Sequence, residues 1–340
     1  PQTPNPKPQT PNPKPLFKIK IGYHLCKPLN HIIIQMANPL SLLGLSILTI
    51  LLHFTRSAEE GEYEIMQITE YVRHGARTTW LNSLDMQFTK NLGQGNLTAN
   101  GMRMEYVLGV QIRKEYPNIF TGGPVPWDEV EVFASGIGRT TVSAQSHLLG
   151  LYPLGIGPNV TVPNDSHFLL PPFKDIDPSF IGQASLPNTF RPFPINVKTP
   201  EVDLVFFPNF GAACPDANTY LNKKNRDFHK QYEHLVKALS DELVGLGWDP
   251  EALYNQETFT IDKIAIMYDE MRSYRNYYGE YHPRFPKEVY EKARLIGNIN
   301  FNFLYPDDKV KRLFADGVAR GIVDGLKSFA NGKSSKKFGL

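Results

Sequence analysis

The chain has 340 residues, of which 41% are hydrophobic and 12% aromatic, and this composition excludes an intrinsically disordered protein. Its 36 basic and 34 acidic residues leave a formal net charge of only +2, so no strong overall field would recruit nucleic acid. At this length, one large domain or a core with an inserted subdomain are the two natural organisations.

The first 58 residues carry two features that distinguish them from the rest of the chain. Residues 1–14 repeat Pro-Gln-Thr-Pro-Asn-Pro-Lys twice, so we treat residues 1–35 as a low-complexity, basic segment outside the fold. Residues 40–54 are almost entirely apolar, a length on the border between the core of a signal peptide and a membrane-spanning helix. We therefore predict a signal peptide over residues 36–58, with an uncleaved membrane anchor as the alternative.

Both alternatives place residues 60–340 in the secretory pathway, as an extracellular, lysosomal or membrane-anchored lumenal domain. Three Asn-x-Ser/Thr triplets agree with this compartment because they are acceptors for N-glycosylation, at Asn96, Asn159 and Asn164. Of the two cysteines, Cys26 precedes the apolar block, so we do not pair it with Cys214. The disulfide partner of Cys214 is left open.

Strand and helix patterns alternate from residue 63 onwards. Residues 63–72 predict a buried strand, and the alternation of polar and apolar residues in 129–135 predicts a second one. Between them, Thr98 is a suitable N-cap for a helix that stops at Pro117, and a second helical pattern stops before Pro153. This order of elements is typical of an α/β fold.

The second half of the chain is mainly helical. Residues 154–220 are rich in proline, asparagine and glycine, and helical apolar stripes follow them. We predict a core built from about residues 60–160 and 300–340, with a mainly helical cap at about 160–300. The last helix is predicted to bury one apolar face, formed by Val310, Leu313, Phe314, Val318, Ile322, Leu326 and Phe329.

The run Arg73-His74-Gly75-Ala76-Arg77 follows the first predicted strand and places an imidazole between two guanidinium groups. Flanking positive charge disfavours the protonated imidazole, so His74 could present a neutral nitrogen to phosphorus. The arginines offer forked donors to the oxygens of a phosphoryl group. A solvated turn would also accommodate these residues, but the preceding strand and a third arginine, Arg139, after the second strand favour phosphate chemistry.

Three segments resemble the acid phosphatase branch of the histidine phosphatase superfamily. The run YVRHGAR at residues 71–77 matches that family's RHGxR signature. Residues 95–109, GNLTANGMRMEYVLG, resemble its Gly-Leu-Thr segment and following helix, and residues 135–153, SGIGRTTVSAQSHLLGLYP, resemble the element that supplies its third arginine. The resemblance extends more loosely over about residues 62–340 and implies an α/β core sheet flanked by helices.

The resemblance implies an acid phosphatase that hydrolyses phosphate monoesters through a phosphohistidine, without a metal or another cofactor. His74 would be the nucleophile, while Arg73, Arg77 and Arg139 would bind the phosphate. The family usually has a proline where this chain has Thr79, which affects the rigidity of the loop but removes no catalytic group. The alanine in RHGAR favours the phosphatase branch over the mutase branch.

The family also uses a late His-Asp pair, whose aspartate protonates the leaving oxygen. This sequence contains no His-Asp dipeptide, so the general acid is unassigned and is expected beyond Leu340. On this interpretation the domain is incomplete at its C-terminus, its last core strand or strands are missing, and the chain as given is an impaired catalyst.

Two alternatives stay open. The arginines could hold phosphate without turnover, as in a catalytically impaired fragment or a pseudoenzyme, or the chain could be a phytase-like or phosphomutase relative with the same nucleophile. In each case the predicted partner is a small-molecule phosphate ester and not nucleic acid. The natural substrate, the pH optimum and the oligomeric state are not assigned by the sequence.

Overall fold

The computed structural model describes residues 65–121, 126–163, 182–198, 215–303 and 308–340, positions 169 and 177, and two short strands nearer the N-terminus. Several features predicted from the sequence lie outside the described residues. They are the glycosylation candidate Asn164, both cysteines, and most of the low-complexity and signal segments.

The described residues contain seven short strands, namely β1 (Lys20–Tyr23), β2 (Ile50–His53), β3 (Ile68–Tyr71), β4 (Val130–Glu131), β5 (Phe133–Ser135), β6 (Asn196–Lys198) and β7 (Phe338–Gly339). Five of them form one sheet in the order β1, β2, β3, β7, β4. Neighbouring strands are antiparallel from β1 to β3 and parallel from β3 to β4. Strands β5 and β6 form a separate parallel pair.

The centre of the main sheet is formed by the last residues of the chain. Phe338 pairs with Ile68 of β3 on one side and with Val130 of β4 on the other, and its side chain is fully buried. The ring also contacts Phe120, with centroids 5.5 Å apart. Strand β7 therefore lies between β3 and β4, and the expectation that the last core strand or strands are missing stays a prediction.

The described residues contain eight α-helices, namely α1 (Gln87–Leu92), α2 (Ala99–Glu115), α3 (Gly138–Leu151), α4 (Pro215–Gly245), α5 (Pro250–Tyr254), α6 (Ile261–Tyr278), α7 (Lys287–Phe303) and α8 (Asp308–Ala330). Thr98 caps α2 as predicted, since its hydroxyl accepts a hydrogen bond from the amide of Gly101 at 3.1 Å. The predicted mixed α/β class is confirmed.

Two apolar clusters support these elements. One lies between the sheet and helices α2 and α3, and its buried members include Ile68, Ile112, Val132, Leu148, Leu151 and Phe338. The other lies among helices α4, α6 and α7, and its buried members include Leu243, Phe259, Met267, Met271, Val289 and Ile296. The loop that follows β3 connects Ile68 of the first cluster to Leu84 of the second. This loop carries the predicted phosphate-binding residues Arg73 and Arg77.

The predicted buried face of α8 is only partly covered. Leu326 is buried, but Val318, Ile322 and Phe329 are half-buried, and the side chains of Val310, Leu313 and Phe314 lie outside the described residues. Residues of α8, among them Val318 and Ile322, border a cavity of about 630 Å³. The part of the apolar face formed by Val318 and Ile322 therefore borders a cavity where the sequence predicted packing.

Helices α2 and α3 approach each other at two glycines. A Cβ atom on Gly150 would lie 2.2 Å from the carbonyl oxygen of Tyr106, and one on Gly109 would lie 2.2 Å from the carbonyl oxygen of His147. Such distances are far inside van der Waals contact, so only glycine permits this backbone approach.

We expect Gly150→Ala to lower the free energy of unfolding by roughly 1–3 kcal/mol, because the two helices must separate to admit the methyl group. Gly321→Ala in α8 is the matched control, since no atom lies within 4 Å of its Cβ position. Alanine there should be neutral or stabilising by up to about 1 kcal/mol. Urea denaturation of the two variants checks this, and equal effects would contradict it.

Among the described residues, no helix is long and apolar enough to cross a membrane. Strand β2 lies within the apolar block of residues 40–54 and pairs antiparallel with β3. The interpretation of residues 36–58 as a signal peptide or anchor stays a prediction.

Candidate active site

The loop after β3 is fixed by its neighbours on α2 and α3. The amide of Gly75 donates to the hydroxyl of Ser143 at 3.2 Å, and the carbonyl oxygen of Ala76 accepts from both the amide and the hydroxyl of Thr98 at 2.9 Å. A Cβ atom on Gly75 would lie 2.4 Å from the carbonyl oxygen of Gly101. The backbone beside His74 is therefore held against both helices.

The imidazole of His74 has one ring nitrogen occupied and the other available. Its Nδ1 lies 2.8 Å from the carbonyl oxygen of Gly75. A carbonyl oxygen can only accept, so Nδ1 carries the proton and donates. The neutral ring then has its lone pair on Nε2.

The surroundings of His74 favour this neutral form. Burial lowers the pKa of His74 to about 3, and the positive charges of Arg73, Arg139 and Arg77 act in the same direction. The hydrogen bond to Gly75 opposes the shift but does not cancel it. His74 is therefore uncharged throughout the neutral and mildly acidic range.

The three predicted arginines are electrostatic neighbours of His74 in the structure. Arg139 lies in the first turn of α3, is buried, and has its pKa lowered by burial and by Arg77. Arg73 remains exposed, yet the desolvation it does experience and nearby guanidinium groups lower its pKa to about 10. Guanidinium groups carry a positive charge in proteins, so positive charge is concentrated beside the free nitrogen of His74.

Helix α6 adds two charged residues to the site, Asp269 and Arg272, which no sequence motif indicated. Asp269 accepts from both terminal nitrogens of Arg77, with an Oδ1 to Nη2 distance of 2.9 Å and an Oδ2 to Nη1 distance of 3.1 Å. Arg272 is the strongest charged influence that lowers the pKa of Arg73. Asp269 therefore acts on three guanidinium groups, those of Arg73, Arg77 and Arg139, while Arg272 adds a fourth positive charge near Arg73. The excess positive charge suits an anion.

The neighbouring Glu270 attaches α6 to the loop that follows the arginines. Its carboxyl group accepts from the amides of Ser83 and Leu84, each at 2.9 Å, and from the hydroxyl of Ser83. Burial raises the pKa of Glu270 to about 7 although these donors favour the ionised form. The acidic pair Asp269-Glu270, in a helix with an apolar stripe, was the available sequence signal for this contact.

Comparison with known sequences decides the family. The sequence model of the histidine phosphatase superfamily, branch 2, matches residues 12–334. This chain belongs to the histidine phosphatase superfamily. The resemblance found in the three sequence segments is confirmed.

Two curated relatives of this histidine phosphatase are acid phosphatases. The lysosomal acid phosphatase of Xenopus laevis is 30% identical over 125 residues, which cover 36% of this chain and 28% of that protein. The prostatic acid phosphatase of Bos taurus is 36% identical over 93 residues, which cover 26% of this chain and 24% of that protein. The aligned part spans about a quarter of the length of either relative.

A solved structure shares the fold at low identity. The phytase of Hafnia alvei in complex with tartrate gives a TM-score of 0.51 at 12% identity and covers 81% of this chain and 71% of that chain. At this identity the likeness shows the fold alone. The predicted histidine-phosphatase-like α/β architecture is therefore confirmed.

The chain also contains a buried cluster of three titratable residues near the loop that carries His74. Nε2 of His147 on α3 lies 3.1 Å from Oε2 of Glu70 on β3, within ion-pair distance. Burial alone would lower the pKa of His147, but Glu70 and Glu105 raise it overall. Burial raises the pKa of Glu105 on α2 to about 7, with His147 opposing the shift.

The cluster and His74 border the same cavity of about 630 Å³. Its lining includes Arg73 and His74 as well as Glu70, Glu105 and His147. Arg77 and Arg139 do not line it. The cavity is therefore not identical with the place where the arginines converge. Among the described residues, no group of three His, Cys, Asp or Glu side chains is arranged to hold a metal ion.

We expect Glu105→Gln to stabilise the protein at pH 8 by up to about 3 kcal/mol and to have little effect near pH 4.5. The folded-state pKa of Glu105 is about 7, above its unfolded value of 4.5. The folded state therefore binds a proton at Glu105 more tightly than the unfolded state does. Folding incurs no penalty from Glu105 below pH 4.5, and the free energy of unfolding falls as the pH rises from 4.5 through 7. Glutamine imitates the protonated side chain at every pH.

Urea denaturation at several pH values checks this prediction. Glu115→Gln, an exposed position on the same helix, is the control and should leave the pH dependence unchanged. If the free energy of unfolding depends on pH in the same way for the wild type and Glu105→Gln, Glu105 does not take up a proton on folding.

Proposed function

We propose that this protein is an acid phosphatase that hydrolyses phosphate monoesters through a phosphohistidine on His74. The observation that carries the proposal is the neutral imidazole of His74, whose Nε2 lone pair is available beside a cluster of guanidinium groups. The acid phosphatases among the relatives and the family membership support the same class of reaction.

The residues support a two-step displacement. In the first step, the Nε2 lone pair forms a bond to phosphorus while the bond from phosphorus to the ester oxygen breaks. The departing oxygen takes the electron pair, and an alkoxide then takes a proton from water, since no residue is assigned as the general acid. In the second step, water attacks phosphorus and releases inorganic phosphate and the free imidazole. Arg73, Arg77 and Arg139 neutralise the charge on the phosphoryl oxygens in both steps.

Asp269 would orient Arg77 for this role. Its two oxygens contact both terminal nitrogens of Arg77, and the side chain of Arg77 is only 13% exposed. A guanidinium group held in this way presents its remaining donors in a fixed plane, which suits a tetrahedral phosphoryl group. Arg272 would add a further positive charge beside Arg73.

The direct test is to trap the intermediate. The protein is mixed with a ³²P-labelled aryl phosphate, quenched in alkali and digested, since phosphohistidine is stable to alkali and labile to acid. We expect label on the peptide that contains His74 and none in His74→Ala. Label on another peptide, or turnover without any label, would contradict the proposed intermediate.

A second candidate is phosphate binding with little turnover. The observation that favours it is that Asp269, the acidic neighbour of Arg73, Arg77 and Arg139, is already paired with Arg77 through both oxygens. A carboxylate in this arrangement has no proton to donate to a leaving group. The chain would then bind phosphate esters but release alcohols slowly.

We further propose that the protein enters the secretory pathway, as the names of its lysosomal and prostatic relatives suggest. Asn159 and Thr161 of one acceptor triplet are both exposed, whereas Asn96 is exposed but the hydroxyl of Thr98 is buried.

Glycosidase treatment tests this proposal. When the protein is expressed in a eukaryotic secretory host, endoglycosidase should increase its gel mobility, and Asn159→Gln should reduce that shift. Asn255→Gln, outside any acceptor triplet, is the control, and the absence of any shift would contradict this proposal.

A further inference from the structure

Trp80 lies on a bend that is anchored at both ends. Thr78 and Thr79, which precede it, are fully buried, and their hydroxyls contact the carbonyl oxygen of Gly93 at 2.6 Å and the hydroxyl of Thr89 at 2.9 Å. Ser83, which follows the bend, is bound by the carboxyl group of Glu270. The position of Trp80 is therefore defined by its neighbours in the chain.

The indole ring contacts an arginine of the phosphate site. The guanidinium carbon of Arg139 lies 5.0 Å from the centroid of the Trp80 ring, within the range of a cation–π contact. Nη1 of Arg139 donates to the carbonyl oxygen of Gly95 at 3.4 Å, and a Cβ atom on Gly95 would touch both side chains at 3.4 Å. The buried Nε of Arg139 has no hydrogen-bond partner among the described residues.

The ring itself is not buried by these contacts. Trp80 is 54% exposed and the adjacent Leu81 is 39% exposed, whereas Trp248 in the helical cluster is 4% exposed. A large apolar surface therefore lies open beside the arginine that is expected to hold the phosphoryl group. The organic group of a monoester is attached directly to that phosphoryl group through one oxygen.

We propose that Trp80 forms one wall of the leaving-group pocket and makes the site selective for phosphate monoesters of flat, apolar alcohols, above all aryl phosphates. This inference rests on the proposed phosphatase function. A phosphoryl group bound by Arg139 places an aryl ring within reach of the exposed indole. Stacking between two aromatic rings then favours aryl esters over small alkyl esters by about two- to tenfold in affinity.

Phosphonates test this without turnover. Titration calorimetry measures the dissociation constants of inorganic phosphate, methylphosphonate and phenylphosphonate for the wild type, Trp80→Ala and Trp127→Ala. Trp127 is the matched control because it is 49% exposed and also contacts an arginine, Arg191, at 4.6 Å. We expect the wild type and Trp127→Ala to prefer phenylphosphonate over methylphosphonate by about two- to tenfold, and Trp80→Ala to lose the preference.

The ratio of the two phosphonates is the decisive quantity. Loss of the indole removes a neighbour of Arg139 and so should weaken the binding of all three ligands. The ratio of the dissociation constants of the two phosphonates changes only if Trp80 contacts the organic group. The same ratio in the wild type and Trp80→Ala would overturn the inference while phosphate binding by the arginines stands. Failure of the folded wild type to bind phosphate or either phosphonate would instead overturn the proposed function.

A second measurement covers the case in which Trp80→Ala does not fold. The chain has three tryptophans, so the indole N–H signal of Trp80 can be assigned in a nitrogen–proton correlation spectrum with Trp80→Phe. Phenylphosphonate should shift this signal more than methylphosphonate does, because the ring current of the ligand acts at stacking distance. Equal shifts from the two ligands would overturn the inference.

Discussion

Replacing His74 with alanine is expected to reduce the turnover of p-nitrophenyl phosphate at least about a thousandfold. In the proposed mechanism the imidazole provides the electron pair for the bond to phosphorus. The lone pair lies on Nε2 because Nδ1 donates to the carbonyl oxygen of Gly75. Alanine removes that electron pair but leaves the guanidinium groups in place. The variant should therefore bind inorganic phosphate with an affinity within a few-fold of that of the wild type.

His234→Ala is the control for this experiment, because His234 is an exposed histidine of α4. It should change neither turnover nor phosphate affinity. Thermal unfolding of each variant establishes that the comparison is made on folded protein. Turnover by His74→Ala at the rate of the wild type would rule out His74 as the nucleophile. The proposed role of the arginines beside it would then also be contradicted.

The second large effect concerns the leaving group. We expect kcat/KM for p-nitrophenyl phosphate to exceed that for glycerol 2-phosphate by at least about 10²-fold, because a positioned acid typically contributes about 10² to 10⁴ in rate. An acidic phenol departs as an anion and needs no proton, whereas an alkoxide does. Asp269 is paired with Arg77 through both oxygens and so does not supply that proton.

The variant Asp269→Asn distinguishes two roles of Asp269, which are orienting Arg77 and donating a proton to the leaving oxygen. If Asp269 only orients Arg77, the variant should lose activity toward both substrates by the same factor. A selective loss on glycerol 2-phosphate would identify Asp269 as the proton donor and contradict the prediction. Equal kcat/KM values of the wild type for the two substrates would show that another acid acts within the chain.

Some features of this protein can be predicted from short stretches of sequence. The loop of Arg73, His74 and Arg77 after a strand, and the cap at Thr98, were predicted because they depend on neighbours within a few positions. A helix cap is decided by a hydroxyl and an amide three residues later, which any helix start brings together. The electrostatic effect of Arg73 and Arg77 on His74 is equally local, because the chain itself holds these groups close.

Other features were decided by the tertiary structure alone. Asp269 lies 192 positions from Arg77, and β7 reaches its place between β3 and β4 only after α8. An amphipathic pattern states which face of a helix is apolar but not what covers it, so the predicted burial of Ile322 on α8 was too high. The contact of Trp80 with Arg139 likewise depends on how the loop packs against α3. Such contacts come from the packing of whole elements, for which local periodicity carries no information.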